Sequence, residues 1–321
     1  MKTKLFFIPL FFAATLFFLC SCSQKKNRSP LNEWMGQNGK IKVLSTTAQV
    51  GELVTFIGGE KVDHWVLIPK DLDPHSYELV KGDGEKVARA ELIFYNGLGL
   101  EHGASLSALL HQSPKSISLG GAIRKEAPDA ILEKNGVVDP HLWMDLALWS
   151  KGSHEIVRQL SLIDPDSTPY YQERGKRLRE MMQKKDLELR ALLQSVPAEK
   201  RFLVTSHDAF RYFAKAYLAE PGELGWEERF IAPEGLAPDG QLSPVDLQAV
   251  ISFLQKHQIF VLFPESNLSR GVIAKIAAAS KEMGHPVRLC KAPLYGDSVS
   301  GLSYFEAMER NGKLLVEELQ K

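Results

Sequence analysis

Short strand-like runs and longer runs with apolar residues every three or four positions take turns along this chain. The strand-like runs at 41–45, 62–68, 92–95 and 116–119 predict strands, and the stretches over 50–57, 85–90 and 101–110 predict helices between them. Such alternation implies βα units on a mostly parallel sheet. The pattern breaks at Asp164-Pro165-Asp166-Ser167-Thr168-Pro169, a turn and helix-start signal. From there to Val196 the chain is highly charged, with a single glycine, Gly175. Tyr171, Leu178, Met182, Leu189 and Leu193 fall at helical spacing. One long helix with a narrow apolar seam is expected, ended by Pro197. A coiled-coil dimer would need a longer and better-filled seam, so a helix lying across two lobes is the preferred reading. Beyond it, strands at 202–205, 259–263 and 287–290 alternate with helices over 209–217, 244–257, 271–283 and 303–319. The segment 220–241, rich in proline and glycine, is expected to be a long loop near the ends of the second sheet.

The opening residues do not belong to this pattern. Lys2 and Lys4 precede an almost wholly apolar stretch over 5–19, which ends at Leu19-Cys20-Ser21-Cys22. That is a signal peptide, too short for a comfortable transmembrane helix. The Leu-x-Ser-Cys pattern resembles a bacterial lipobox, which makes Cys22 the lipidated first residue of the mature protein; ordinary cleavage without lipid is the alternative. The division expected along the chain is a leader at 1–21, a flexible polar tether at 22–39, an α/β lobe at 40–165, the long helix at 166–197 and a second α/β lobe at 198–321. Lys and Arg number 39 against 39 Asp and Glu, with no basic stripe, so nucleic acid is not an expected partner. Besides Cys22, Cys290 is the one cysteine beyond the leader, which excludes a disulfide framework or a cysteine-rich zinc site, and its apolar neighbours predict a buried thiol.

The candidate chemistry lies in histidines. Asp-Pro-His occurs twice, at Asp73-Pro74-His75 and Asp139-Pro140-His141. Proline locks its own φ and pushes the preceding residue into an extended conformation, so each histidine sits on stiff backbone, as a metal ligand should. His207 closes the apolar run 201–206, and Asp297 lies in the turn Tyr295-Gly296-Asp297-Ser298. Three imidazoles and a carboxylate at the ends of apolar runs are the parts of a transition-metal site. Loop capping for His75 and His141, a buried bonded role for His207 and a plain turn for Asp297 are the competing readings. Glu265 is a rival carboxylate, read here as an ion-pair partner, with Arg270 as its mate. Asp145 either supports His141 from behind or faces solvent. His64, His102, His111, His154, His257 and His285 lack comparable context. Gly97, Gly99 and Gly103 are spaced one residue too long for a dinucleotide fingerprint and are read as a tight turn with close helix packing.

The ordered set of lipobox, two Asp-Pro-His motifs, Asn96-Gly97-Leu98-Gly99-Leu100-Glu101, Ser206-His207-Asp208-Ala209-Phe210 and Asp297-Ser298 resembles the metal-binding lipoproteins of bacterial manganese, zinc and iron ABC importers (cluster A-I substrate-binding proteins). The resemblance spans essentially all of residues 40–320. It implies an α/β fold of two lobes, each a mostly parallel sheet flanked by helices, joined by one long rigid helix. His75 and His141 from the first lobe and His207 and Asp297 from the second would hold one divalent metal, as cargo and not as a catalytic cofactor. The implied partners are an ABC permease with its ATPase, and the membrane through the lipid anchor. The implied state is an extracytoplasmic monomer that is not an enzyme. A metal-dependent hydrolase and a surface adhesin are the alternatives. Two departures leave the metal open among manganese, zinc and iron: 118–139 contains no histidine, unlike zinc-specialised relatives, and His207 stands where dedicated manganese members have Glu. Because imidazoles must be neutral to ligate, affinity is expected to fall as pH drops through roughly 6.5.

Overall fold

The computed structural model describes residues 29–238 and 242–321; the leader and Cys22 lie outside the described residues. Four parallel strands, β1 (Ile41–Ser45), β2 (Val62–Val66), β3 (Leu92–Tyr95) and β4 (Ser116–Ser118), form one sheet in the order β2-β1-β3-β4. Alternate residues of β1 and β3 point to opposite faces. Val43 and Phe94 join the core under the helices Ala48–Gly58 and Gly152–Ile163, whereas Leu44 and Ile93 pack with Trp34, Leu67, Leu106 and Leu110 on the other side. The central strands β1 and β3 are therefore largely buried, whereas β2 and β4 at the edges are half-buried.

A short antiparallel hairpin follows, β5 (Glu133–Lys134) with β6 (Val137–Val138), turning at Asn135 and Gly136, whose φ values are +53° and +80°. Asn-Gly supplies the two left-handed residues such a turn requires. Among the described residues, the C-terminal half holds four further strands, β7 (Leu203–Val204), β8 (Phe230–Ile231), β9 (Val261–Leu262) and β10 (Arg288–Leu289). β7 pairs with β8 and β9 with β10, all parallel, and Phe263 N donates to Val204 O (3.2 Å) to link the two pairs. β8 lies inside the segment 220–241 expected to be loop. The strand is two residues long and carries no readable periodicity. The helix expected over 209–217 is one α-turn, Arg211–Phe213, continued by a π-turn, Ala214–Leu218.

The long helix runs Thr168–Gln194, 27 residues and about 40 Å, after a 3₁₀ turn at Pro165–Ser167. All five seam residues are buried, with Gly175 and Asp186 beside them. A Cβ on Gly175 would come within 2.5 Å of Val157 Cγ2, so glycine allows the Gly152–Ile163 helix to pack close. Leu146–Ser150, Ala48–Gly58 and the closing helix Tyr304–Leu319 also lie against it, so it contacts both halves. Part of the stretch 22–39, expected to be tether, is structured. Residues Pro30–Met35 form a helix capped by Ser29, and Trp34 is buried, its Nε1 donating to Asp63 O (2.9 Å). One large indole in a polar stretch is enough to dock it, which a reading of average polarity misses. Cys290 is a buried free thiol, as expected.

Candidate metal centre

Each Asp-Pro-His forms the same local turn. Asp73 Oδ1 accepts from His75 N (2.9 Å), and Asp139 Oδ1 accepts from His141 N (3.0 Å). An aspartate bonding the backbone two residues on, across a proline of fixed φ, leaves the histidine little freedom. His75 lies beyond the end of β2, His207 three residues past β7 and Asp297 in the loop after β10. These are the carboxyl ends of parallel strands, where open α/β sheets gather their ligands. His141 is delivered by the hairpin.

The four predicted side chains meet, each offering one donor atom, and the donors lie within 4.8 Å of one another. His75 Nε2 and His141 Nε2 are 3.2 Å apart. Asp297 Oδ1 is 3.5 Å from His141 Nε2, and its Oδ2 is 3.6 Å from His75 Nε2 and 3.4 Å from His207 Nε2. Four ligands at about 2.0–2.1 Å from a tetrahedral centre are separated by about 3.3–3.4 Å, close to these four distances of 3.2–3.6 Å. All four side chains are buried, yet His207 Nε2 and both oxygens of Asp297 have no hydrogen-bond partner. Buried polar atoms aimed at a common point and left unbonded are what a cation would satisfy.

Carboxylates stand behind two of the imidazoles. His141 Nδ1 donates to Asp139 Oδ1 (2.7 Å), and His207 Nδ1 donates to Glu265 Oε2 (2.9 Å), so in both rings Nε2 is the atom turned to the cluster. Glu265 also accepts from His207 N (3.0 Å) and Ser206 Oγ (2.9 Å). It is therefore neither a ligand in this geometry nor paired with Arg270, which donates to Lys291 O. Asp145 takes neither of its expected roles: it caps the helix Leu146–Ser150 by accepting from Leu148 N (2.9 Å). His102 is not isolated, since its ring lies 5.4 Å from that of His75. Gly103 packs as expected, with no room for a Cβ against Tyr77 O (2.0 Å).

Burial dominates the electrostatics. It drives His75 and His141 well below the usual imidazole value, and the neighbouring histidines push the same way. Burial also acts to lower His207, but Asp297 and Glu265 outweigh it and hold this imidazolium up at about 10. Burial raises Asp297 to about 7 against the pull of His207. Positive charge on His207 is thus favoured beside Asp297, where a metal would bring it.

Contacts across the halves close the site. Gln49 Nε2 donates to Asp297 O (2.7 Å), Trp143 Nε1 to Gly296 O (3.1 Å) and Tyr304 Oη to Trp143 O (2.5 Å). Asn96 Nδ2 donates to Pro140 O (2.9 Å) and so props the second Asp-Pro-His loop from β3. Gln49 and Trp143 carried no sequence signal, because each acts on a residue far along the chain.

Solved metal-binding proteins share this fold. Fe(III)-bound YtgA from Chlamydia trachomatis superposes with a TM-score of 0.83 at 36% identity, over 87% of this chain and 98% of that one. The periplasmic zinc binding protein TroA from Treponema pallidum gives 0.78 at 28% identity, over 88% and 99%. By sequence, the chain is 36% identical to the metal-binding protein YtgA of Chlamydia trachomatis serovar D over 321 residues, covering 99% of this chain and 96% of that protein. It is 28% identical to the manganese ABC transporter substrate-binding lipoprotein PsaA of Streptococcus mitis, covering 97% of each. These likenesses define its class, the solute-binding proteins of metal ABC importers. Residues 43–318 match the family described as ZnuA, zinc-uptake complex component A, periplasmic, and the chain belongs to that family.

Proposed function

We propose that this protein captures one divalent transition-metal ion, manganese, iron or zinc, outside the cytoplasm and delivers it to an ABC permease driven by its ATPase. His75, His141, His207 and Asp297 are the ligands. The convergence of their four buried donors within 4.8 Å carries the reading. Residues 40–165 and 198–321 act as two lobes, 166–197 as the stiff connection, and Cys22 as the lipid anchor of a monomer. The chain's own groups are set for capture. His75 and His141 are neutral at physiological pH, Asp139 and Glu265 orient two of the rings, and the remaining proton on the His207–Asp297 pair leaves as the ion arrives.

Binding is favoured over hydrolysis by the donor set. A catalytic zinc keeps three protein ligands and an open position beside a general base. Here four ligands are present, and Asp139 and Glu265 are both engaged on ligand imidazoles. The test is metal content by mass spectrometry of residues 23–321 purified without chelator, alongside His75→Ala, His141→Ala, His207→Ala and Asp297→Ala. About one ion per chain, lost in folded variants, is expected. Folded wild type that takes up none after reloading with manganese, iron and zinc refutes the reading.

A further inference from the structure

Two ion pairs cross between the halves directly behind the ligands. Lys134, on the Asn-Gly hairpin of the N-terminal half, pairs with Asp208, the residue after His207. Arg211 of the C-terminal half faces Asp139 Oδ2 at 3.7 Å, and Asp139 is the carboxylate that holds His141. Tyr212 reinforces the crossing, its Oη accepting from Leu132 N (2.9 Å) and donating to Asp139 O (3.2 Å). His141 and His207, whose rings lie 5.2 Å apart, cannot separate until both pairs part. We propose that Lys134 and Arg211 are positioning residues that latch the two histidine-bearing loops together and set the rate at which the bound metal is released. This rests on the ligand assignment of the preceding subsection.

The asymmetry of the Lys134–Asp208 pair makes it a latch and not a strut. Asp208 is buried, at 2% side-chain exposure, and its Oδ1 has no partner, whereas Lys134 is 39% exposed. Both line, with Arg211, Trp226 and Phe230, a surface pocket of about 160 Å³. An exposed lysine contributes little to folding, but removing it leaves a carboxylate buried and unpaired as long as the loops stay closed. Opening relieves that cost by admitting water, so losing Lys134 destabilises the closed state relative to the open one. Solvent ions reach the pair through the pocket and should weaken it in the same way.

The experiment is stopped-flow release of zinc(II) from the loaded mature chain into excess chelator, at low and high sodium chloride, for wild type, Lys134→Gln and Lys134→Arg. The expected result is release about tenfold faster in Lys134→Gln, with the association rate within about twofold of wild type. Wild-type release should quicken with salt, Lys134→Gln should respond much less, and Lys134→Arg should behave as wild type. Unchanged release in Lys134→Gln overturns the latch, as does acceleration with no difference in salt response, which marks a merely structural contact. Failure of wild type to load metal at all overturns the ligand assignment and the latch with it, so the two failures are told apart by the loading step.

Discussion

Glu265→Gln tests the electrostatic construction of the site without disturbing its ligands. The substitution keeps the side-chain volume and one acceptor oxygen but removes the negative charge behind His207, which Glu265 holds through bonds of 2.9 and 3.0 Å to its Nδ1 and N. Two effects then oppose each other. Losing the carboxylate makes His207 a poorer donor, worth about 10–100-fold in metal affinity for a group in this position. It also lowers the imidazolium from about 10, since Glu265 is among the groups that raise it, and so relieves proton competition. That competition is large: displacing a proton held at about 10 costs about 4 kcal/mol at pH 7. The metal loses more than the proton does, because a divalent ion feels twice the field of the missing charge. The net expectation is weaker binding at every pH, with a deficit that grows from pH 7 towards pH 10 as the compensating relief vanishes. Competition titration against a metallochromic chelator at several pH values measures it, with circular dichroism to establish that the variant is folded. Wild-type affinity in folded Glu265→Gln, or a deficit that shrinks as pH rises, would refute the reasoning.

The same proton bookkeeping moves the expected pH dependence. The His207–Asp297 pair sheds its protons at about 7 and about 10, so log affinity should rise by about two per pH unit below 7, about one between 7 and 10, and then level off. A titration confined to pH 6.5 and below, as the histidine sequence alone suggests, would contradict this. For the metal-free protein the sign is fixed by a folded value raised above the unfolded 6.5. The His207 contribution is fully present below about 6.5 and lost as pH rises through about 10, and chemical denaturation at both ends of that window checks it. Gly103→Ala would drive a methyl into Tyr77 O and should cost about 1–3 kcal/mol in urea unfolding, with weaker metal binding because Tyr77 lies two residues past His75. Trp34→Ala should cost about 3–5 kcal/mol; unchanged stability would return residues 30–35 to the tether.

What was legible in the sequence was local. The Asp-Pro-His turns close within two residues, the seam of the long helix repeats every three or four, and the central strands β1 and β3 of the first sheet are largely buried, so each announces itself along the chain. The four candidate ligands could be chosen because each ends a strand-like run or sits on a proline-stiffened turn, although their convergence followed only from resemblance. What tertiary structure decided was the function of residues whose partners are distant. Glu265 reads as a surface carboxylate until β9 lies beside β7 and brings it to His207, 58 residues away. Asp139, not Asp145, stands behind His141, because the turn points its side chain back at the ring. β8 exists only as the neighbour of β7, and Trp34 is buried because it packs with Leu44, Leu67 and Ile93 under the first sheet. A sequence displays periodicity and turn chemistry because these depend on neighbours a few residues apart. Desolvation, proton sharing and the crossed ion pairs arise from groups that meet only after the chain has folded.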